Sequence, residues 1–208
     1  PETIATLENS KMPVIAGIHG FALGGGLEIA MGAHYRIATP AADLGLPEVN
    51  LGIIPGAGGT QHLPRLIGVK AAAHMVATAE KITGEEAAEL GLVDIVTDTD
   101  DIESSAIAFA ETLIDQGIGP RPTSMITDRI ESPEEAAVAI EEVRTALADQ
   151  ISGKQAPARA LDSVLNAASL SFEDGMKAER EIFLSLRDSP EAQTLRDAFK
   201  AKRKAKKT

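Results

Sequence analysis

With 208 residues, 44% of them apolar and 25% charged, the chain has the balance of a globular protein built on one sizeable core, and it is too short for two full enzyme domains. The absence of cysteine excludes disulfides, thiolate metal sites and a cysteine nucleophile. The net charge is −11, and residues 1–199, with 14 basic against 31 acidic side chains, carry −17, a field that repels phosphate backbones and argues against nucleic-acid binding.

The opening residues, PETIATLENS, lack the basic and apolar stretches of a signal peptide, and no apolar run reaches the roughly 18 residues of a membrane span. No membrane span and, by default, a cytoplasmic location are expected. The β-branched run MPVIAGI at 12–18 predicts a buried strand, HYRIA at 34–38 a second and LVDIV at 92–96 a third. Between the first two, a glycine run precedes LEIAMG (27–32), whose Leu, Ile, Ala and Met suit a buried helix. Strand, glycine turn, helix and strand make a βαβ unit, which favours parallel pairing. At 44–60, LGLPEVNLGIIPGAGGT reads as a long ordered loop, its prolines and glycines denying it a regular helix.

Further on, Thr83, Gly84, Glu85 and Glu86 spell a capping box, and Gly91 stops the short helix that follows. Ser132, Pro133, Glu134 and Glu135 repeat that logic, with Pro in the first helical position. Beyond them the pattern is helical almost to the end. Phe172, Met176, Phe183 and Leu186 recur on one face, Ser189-Pro190 opens a last helix, and Leu195 and Phe199 lie one turn apart. The change from short strands to unbroken amphipathic helices falls near Pro120 and Pro122, dividing the chain into 1–119 and 120–208. The terminal KAKRKAKK reads as the solvated end of a helix rather than a nucleic-acid or membrane patch.

Three residues or groups of residues offer chemistry. Gly24, Gly25 and Gly26 permit a tight turn free of Cβ atoms, with N–H groups at a helix start where partial positive charge collects. Such a turn either holds an oxyanion or lets strand and helix pack closely. The G-x-G-x-x-G and Walker spacings are absent, so the turn suits a carbonyl better than a pyrophosphate. Glu28 follows in an otherwise apolar segment, where it lies on an exposed helix face or is a desolvated carboxylate with a raised pKa. Glu48 stands in the proline-containing loop, the kind of place where a scaffold holds reactive groups, though alone it reads equally as a surface carboxylate. Two carboxylates beside an oxyanion pocket suit general acid and base chemistry on a carbonyl compound. His19, His34, His62 and His74 have no metal-binding spacing and read as structural or surface residues, and there is no G-x-S-x-G elbow. Arg36 reads as a structural partner and Asp43 as a hydrogen-bonding neighbour of the acidic loop.

The strings IHGFALGGGLEIAMGAHYRIA and LGLPEVNLGIIPGAGGTQHLPRLIG, continued by KITGEEAAELGLVDIV, resemble the crotonase family, also called the enoyl-CoA hydratase/isomerase superfamily. Glycine run, Glu, acidic loop and capped helix stand in the family's order and spacing. The resemblance implies an α/β fold: the second half of a crotonase-like ββα spiral core in 1–119, then an all-helical region in 120–208. SFEDGMKAEREIFLSLRDSPEAQTLRDAFKAKRK resembles the helical stretch after the hydratase part of multifunctional fatty-acid oxidation enzymes. In those proteins a 3-hydroxyacyl-CoA dehydrogenase region comes next, but no dehydrogenase fingerprint occurs in this sequence.

Carried over residue by residue, the resemblance makes Glu28 and Glu48 the two catalytic glutamates and the Gly25 N–H one oxyanion donor, with Gly24, Pro47, Pro55 and Gly56 at substrate-binding positions. The family's other donor lies in an earlier segment of A-G-A-D-like pattern that this sequence does not contain. A fragment of a multifunctional enzyme, weakly active or inactive alone, is therefore expected. The implied reaction is reversible syn addition of water to 2-enoyl-CoA thioesters in fatty-acid β-oxidation, and Glu48 could also support 3-enoyl to 2-enoyl isomerisation. The resemblance implies no metal or redox cofactor. CoA enters as part of the acyl-CoA or enoyl-CoA substrate, and the expected assembly is a homo-oligomer or a larger multifunctional chain. The competing readings are a noncatalytic truncated module and acyl-CoA thioester hydrolysis.

Overall fold

A computed structural model describes residues 2–99 and 101–205. The chain opens with α1 (Glu2–Glu8), then runs through β1 (Ile15–Ile18), β2 (Phe21–Leu23), α2 (Gly25–Met31), β3 (Tyr35–Ala38) and β4 (Asp43–Gly45). A 3-10 turn at Pro47–Leu51 leads to α3 (Gly59–Ile67), α4 (Val69–Thr78), β5 (Lys81–Ile82), α5 (Gly84–Leu90), β6 (Ile95–Val96) and α6 (Ile102–Asp115). After a second 3-10 turn at Thr123–Met125 come α7 (Pro133–Ala146), α8 (Ala148–Ile151), α9 (Gln155–Ser169), α10 (Phe172–Arg187) and α11 (Pro190–Ala205).

The expected parallel pairing joins β1 to β3, with Ile15 opposite Tyr35, and β6 extends that sheet on the other side of β3. A second small sheet sets β2 parallel to β4 and β4 antiparallel to β5. All three predicted strands are shorter than the sequence suggests, the second by one residue and the first and third by three each. Pro13 offers no ladder N–H, and the Val14 N–H donates to His34 Nδ1, so pairing starts only at Ile15. The third strand is shortened because the Leu92 and Val93 N–H groups turn back to Ala87 O after the left-handed Gly91. Residues 44–60 are not one loop. Pro47 occupies the first position of a 3-10 turn and Gly59 opens α3, so proline starts a turn here instead of breaking a helix.

A single apolar cluster links Leu27 and Met31 of α2 with Leu63 of α3, Val76 of α4, Ile140 of α7, Leu161 of α9 and Ile182 of α10, crossing residue 120 without interruption. Helix α9 packs on α3, α4, α7 and α10. The fully buried Ala72, Ala73 and Ala160 bring the α4 and α9 backbones together at interior density. Arg36 is fully buried and structural: its Nε donates to Leu92 O and its Nη1 to Ala33 O, both at 2.8 Å, and Asp94 supplies the countercharge. The expected apolar face of the last helix forms only in part, since Leu195 is half-buried while Phe199 is 47% exposed. Lys200 to Lys204 lie exposed on α11, and Lys206 and Lys207 of the basic end lie outside the described residues.

Candidate active site

Because β2 and β4 run parallel with Leu23 opposite Gly45, the chain leaves both strands at the same sheet end. From β2 it turns through Gly24 into α2, and from β4 it passes Leu46 into the 3-10 turn that carries Glu48. The Gly24 N–H donates to Gly45 O at 2.8 Å and ties the two exits together. Gly24 has φ 57 and ψ −128, and a Cβ there would lie 2.6 Å from Glu48 Oε1. Backbone conformation and space thus both demand glycine.

Gly25 and Gly26 are exposed, and a Cβ on either would meet nothing within 4 Å. As the first residue of α2, Gly25 has an N–H with no acceptor inside its helix, so a donor borders open space.

One turn into α2, Glu28 is 4% exposed among Leu27, Ala30 and Met31. Its Oε1 accepts the Ala57 N–H at 2.8 Å and the Gly59 N–H at 2.9 Å. Burial raises its pKa, and those two donors oppose the rise by favouring the anion. Glu48 is less supported: its Oε2 is buried with no hydrogen-bond partner among the described residues. Its pKa is pushed up to about 7, by burial first and by the charge of Glu28 second. The neighbouring carboxylates therefore differ. Two amides favour the anion of Glu28 against the effect of burial, whereas Glu48, without such donors, exchanges its proton near neutrality, the kind of inequality that separates a base from an acid.

The residues that hold Glu28 belong to the amino end of α3, whose cap position is Gly58 (φ 108), with no side chain of its own. Four successive N–H groups there are shared between two carboxylates. Ala57 and Gly59 donate to Glu28, while Gly58 donates to Glu179 Oε1 at 2.7 Å and Thr60 to Glu179 Oε2 at 2.8 Å. The Thr60 hydroxyl adds a 2.6 Å bond to Glu179 Oε2 and lies 2.7 Å from Ser163 Oγ on α9. Glu179 is 1% exposed; burial, and after it the charge of Glu28, push its pKa up to about 8 against the pull of these donors.

The structure brings Gly24, Gly25, Glu28 and Glu48 together, with Pro47 immediately before Glu48. Pro55 is buried, and a Cβ on Gly56 would fall 2.6 Å from Phe183 Cδ2, so packing against α10 accounts for that glycine. Asp43 does not join the acidic loop: its carboxylate pairs with Lys81 Nζ at 2.5 Å across the β4–β5 ladder. A cavity of about 590 Å³ against α4 and α7, lined by Ile67, Ala71, Met75 and Val143 among others, contains neither carboxylate. Glu179 is a site residue that the sequence reading missed. Its signal was available: it stands three residues after Met176 and four before Phe183, a carboxylate on an otherwise apolar stripe.

The family model described as enoyl-CoA hydratase/isomerase matches residues 2–143. The chain is 42% identical over 209 residues to a peroxisomal bifunctional enzyme of Cavia porcellus, covering 97% of this chain and 27% of that protein. It is 38% identical over 200 residues to a glyoxysomal fatty acid beta-oxidation multifunctional protein of Cucumis sativus, covering 96% and 28%. The chain thus spans about a quarter of the length of these curated relatives. Among solved structures it resembles an enoyl-CoA hydratase from Bacillus anthracis, with TM-score 0.53 and 33% identity over 97% of this chain and 64% of that one. The relatives' compartments overturn the default expectation of a cytoplasmic location: the animal relatives are named peroxisomal and the cucumber one glyoxysomal. The expectation failed because it rested only on the lack of an apolar leader, and a compartment need not be marked by one. No helix among the described residues is long and apolar enough to cross a membrane.

Proposed function

Because this chain belongs to the enoyl-CoA hydratase/isomerase family and has its α/β crotonase fold, we propose that its site serves hydration of 2-enoyl-CoA thioesters in fatty-acid β-oxidation, with low turnover by these 208 residues, which lack the family's second oxyanion donor. The observation that carries this reading is the inequality of Glu28 and Glu48 beside the open N–H of Gly25. The thioester oxygen accepts the Gly25 N–H, which stabilises the enolate charge that develops as water adds. Glu28 has one oxygen committed to two amides; its other oxygen takes a proton from water as the water oxygen bonds to C3. Glu48, protonated, gives its proton to C2, and the enolate collapses to the saturated thioester. Exchange with solvent then returns a proton to Glu48 and removes one from Glu28. Because the two carboxylates feel each other's charge, their titrations belong to the pair.

Gly24 contributes space, since only a residue without Cβ leaves room for the Glu48 carboxylate. Pro47 fixes the turn that presents Glu48, while Pro55 and Gly56 set the approach of the chain to Ala57 and to Phe183. The chemistry draws on no metal or redox cofactor, and CoA comes with the substrate. The peroxisomal and glyoxysomal names of the relatives support the same type of compartment for this protein. Hydration of a 2-enoyl-CoA, followed by loss of its conjugated-thioester absorbance and by identification of the 3-hydroxyacyl product, tests the reading. Glu48→Gln should reduce turnover by roughly 10²-fold or more. Release of free CoA without 3-hydroxyacyl-CoA would instead mark a hydrolase.

A further inference from the structure

We propose that Glu179 is a positioning residue for this reaction: through Gly58 and Thr60 it fixes the first turn of α3, so that Ala57 and Gly59 hold the Glu28 carboxylate in its working orientation. The role rests on the hydratase reading, in which Glu28 is the base.

The first N–H groups of α3 have no acceptors within the helix, and the cap residue Gly58 brings no side chain to supply one. Gly58, Gly59 and Thr60 are buried, so water does not substitute, and an unsatisfied donor there would bear its full desolvation penalty. Two carboxylates from distant parts of the chain meet the demand by taking alternate amides. If one is removed, the freed amides compete for the other. Without Glu179, Gly58 and Thr60 are left beside Glu28, the carboxyl group that already serves their neighbours, and a turn that rotates to serve them no longer presents Ala57 and Gly59 as before.

Glu179 is itself rigidly supported. The Thr60 hydroxyl binds it, Ser163 Oγ lies 2.7 Å from that hydroxyl, and Gln61 Nε2 donates both to Thr60 Oγ1 at 3.0 Å and to Ser163 O at 2.8 Å. Gly175, one turn earlier on α10, lets the helix approach Gln61 closely, because a Cβ there would collide with the Gln61 side chain. Both carboxylate oxygens of Glu179 are taken by the chain and the residue is 1% exposed, so it acts through Glu28 and not on substrate.

The test separates positioning from mere support of the fold. Glu179→Ala should lower kcat roughly 10²-fold with KM changed less than about threefold, the signature of a misplaced group acting only in the transition state. Glu179→Gln keeps one acceptor oxygen and should restore about a tenth of the lost rate or more, since one of the two backbone bonds survives. In both variants the amide resonances of Ala57 and Gly59 should shift, although neither residue touches Glu179. Unchanged kcat and unchanged Ala57 and Gly59 resonances in a folded variant would overturn the proposal. If neither variant folds, the wild-type protein still decides: through-hydrogen-bond couplings from Gly58 and Thr60 nitrogens to the Glu179 carboxyl carbon are expected, and their absence refutes it. The resonances and couplings need no turnover, so they decide the Glu179 contacts even where hydration is too slow for kinetics, whereas conversion of a 2-enoyl-CoA to free CoA without the 3-hydroxyacyl product sinks the hydratase reading alone.

Discussion

The amino ends of α2 and α3 are written in nearly the same letters, GGG before one and GAGG before the other, and they are put to opposite uses. At α2, Gly25 and Gly26 face open space and their helix start borders the surface. At α3 every amide from Ala57 to Thr60 is already taken by Glu28 or Glu179. Gly24 and Gly58 are glycine for the same two reasons, a positive φ (57 and 108) and a side chain, Glu48 or His62, lying where a Cβ would stand. A glycine-rich helix start is thus a donor array whose role depends on whether the protein supplies its own anion. One stays open to the surface, and the other is spent holding Glu28 and Glu179 in place.

The difference between the two helix starts has its largest consequence at Glu28, when that residue loses its charge. Glu28→Gln should cut turnover of a 2-enoyl-CoA by roughly 10²- to 10⁴-fold, the usual worth of a positioned base, in a protein whose circular dichroism is unchanged. Next in size, Gly58→Ala combines a left-handed backbone with a Cβ 2.6 Å from His62 Nδ1. It should cost roughly 2–4 kcal/mol in urea denaturation and disturb Glu28 with it.

The acid side of the pair is read through pH. Glu48 must be protonated to donate, and its pKa lies at about 7, so hydration should decline as pH rises through that value; a flat profile to pH 9 would refute the assignment. The same displacement acts on stability. Glu48 and Glu179 are raised above their ordinary 4.5, so the contribution of their neutral forms is complete below pH 4.5 and is lost as pH rises through about 7 and about 8. Thermal scans should show Glu48→Gln flattening the lower part of that loss. The smallest effect sharpens the contrast: Gly25→Ala has an ordinary φ and an empty surround, so it should leave stability unchanged or raise it by about 0.5–1 kcal/mol. Where the proposed thioester contact with the Gly25 N–H holds, the added methyl group crowds it, and KM should rise.

Local chemistry made parts of this molecule legible. The capping boxes at Thr83 and Ser132 form as written, each with its partner Glu86 or Glu135 bonded back, because everything they need lies within four residues. The parallel pairing of β1 with β3 follows from the βαβ pattern. Strands β2, β4 and β5 were invisible, since two or three residues cannot show a period of two. Helix α3 was concealed by its glycine start and by Pro64 within it, features that normally end helices. At the site, the motif around Gly24 and Glu28 announced itself, but the unequal support of Glu28 and Glu48 did not. That inequality depends on which amides come near, and the amides of Ala57 and Gly59 reach Glu28 only through the packing of α2 on α3.

The bonds from Gly58 and Thr60 to Glu179 close loops of 121 and 119 residues. Contacts that distant are expensive to form early, so the order of assembly follows from them. While the chain is being synthesised, the sheets, α2 and α3 can gather before α10 exists. In that interval the amino end of α3 lacks one of its two carboxyl acceptors, and Glu28 has rivals for its attention. The site is therefore finished from the far end of the sequence, when α10 docks. Pulse-labelled hydrogen exchange during refolding should find the Gly58 and Thr60 amides protected later than the amides inside α4, and with them the moment at which a folded chain becomes a competent one.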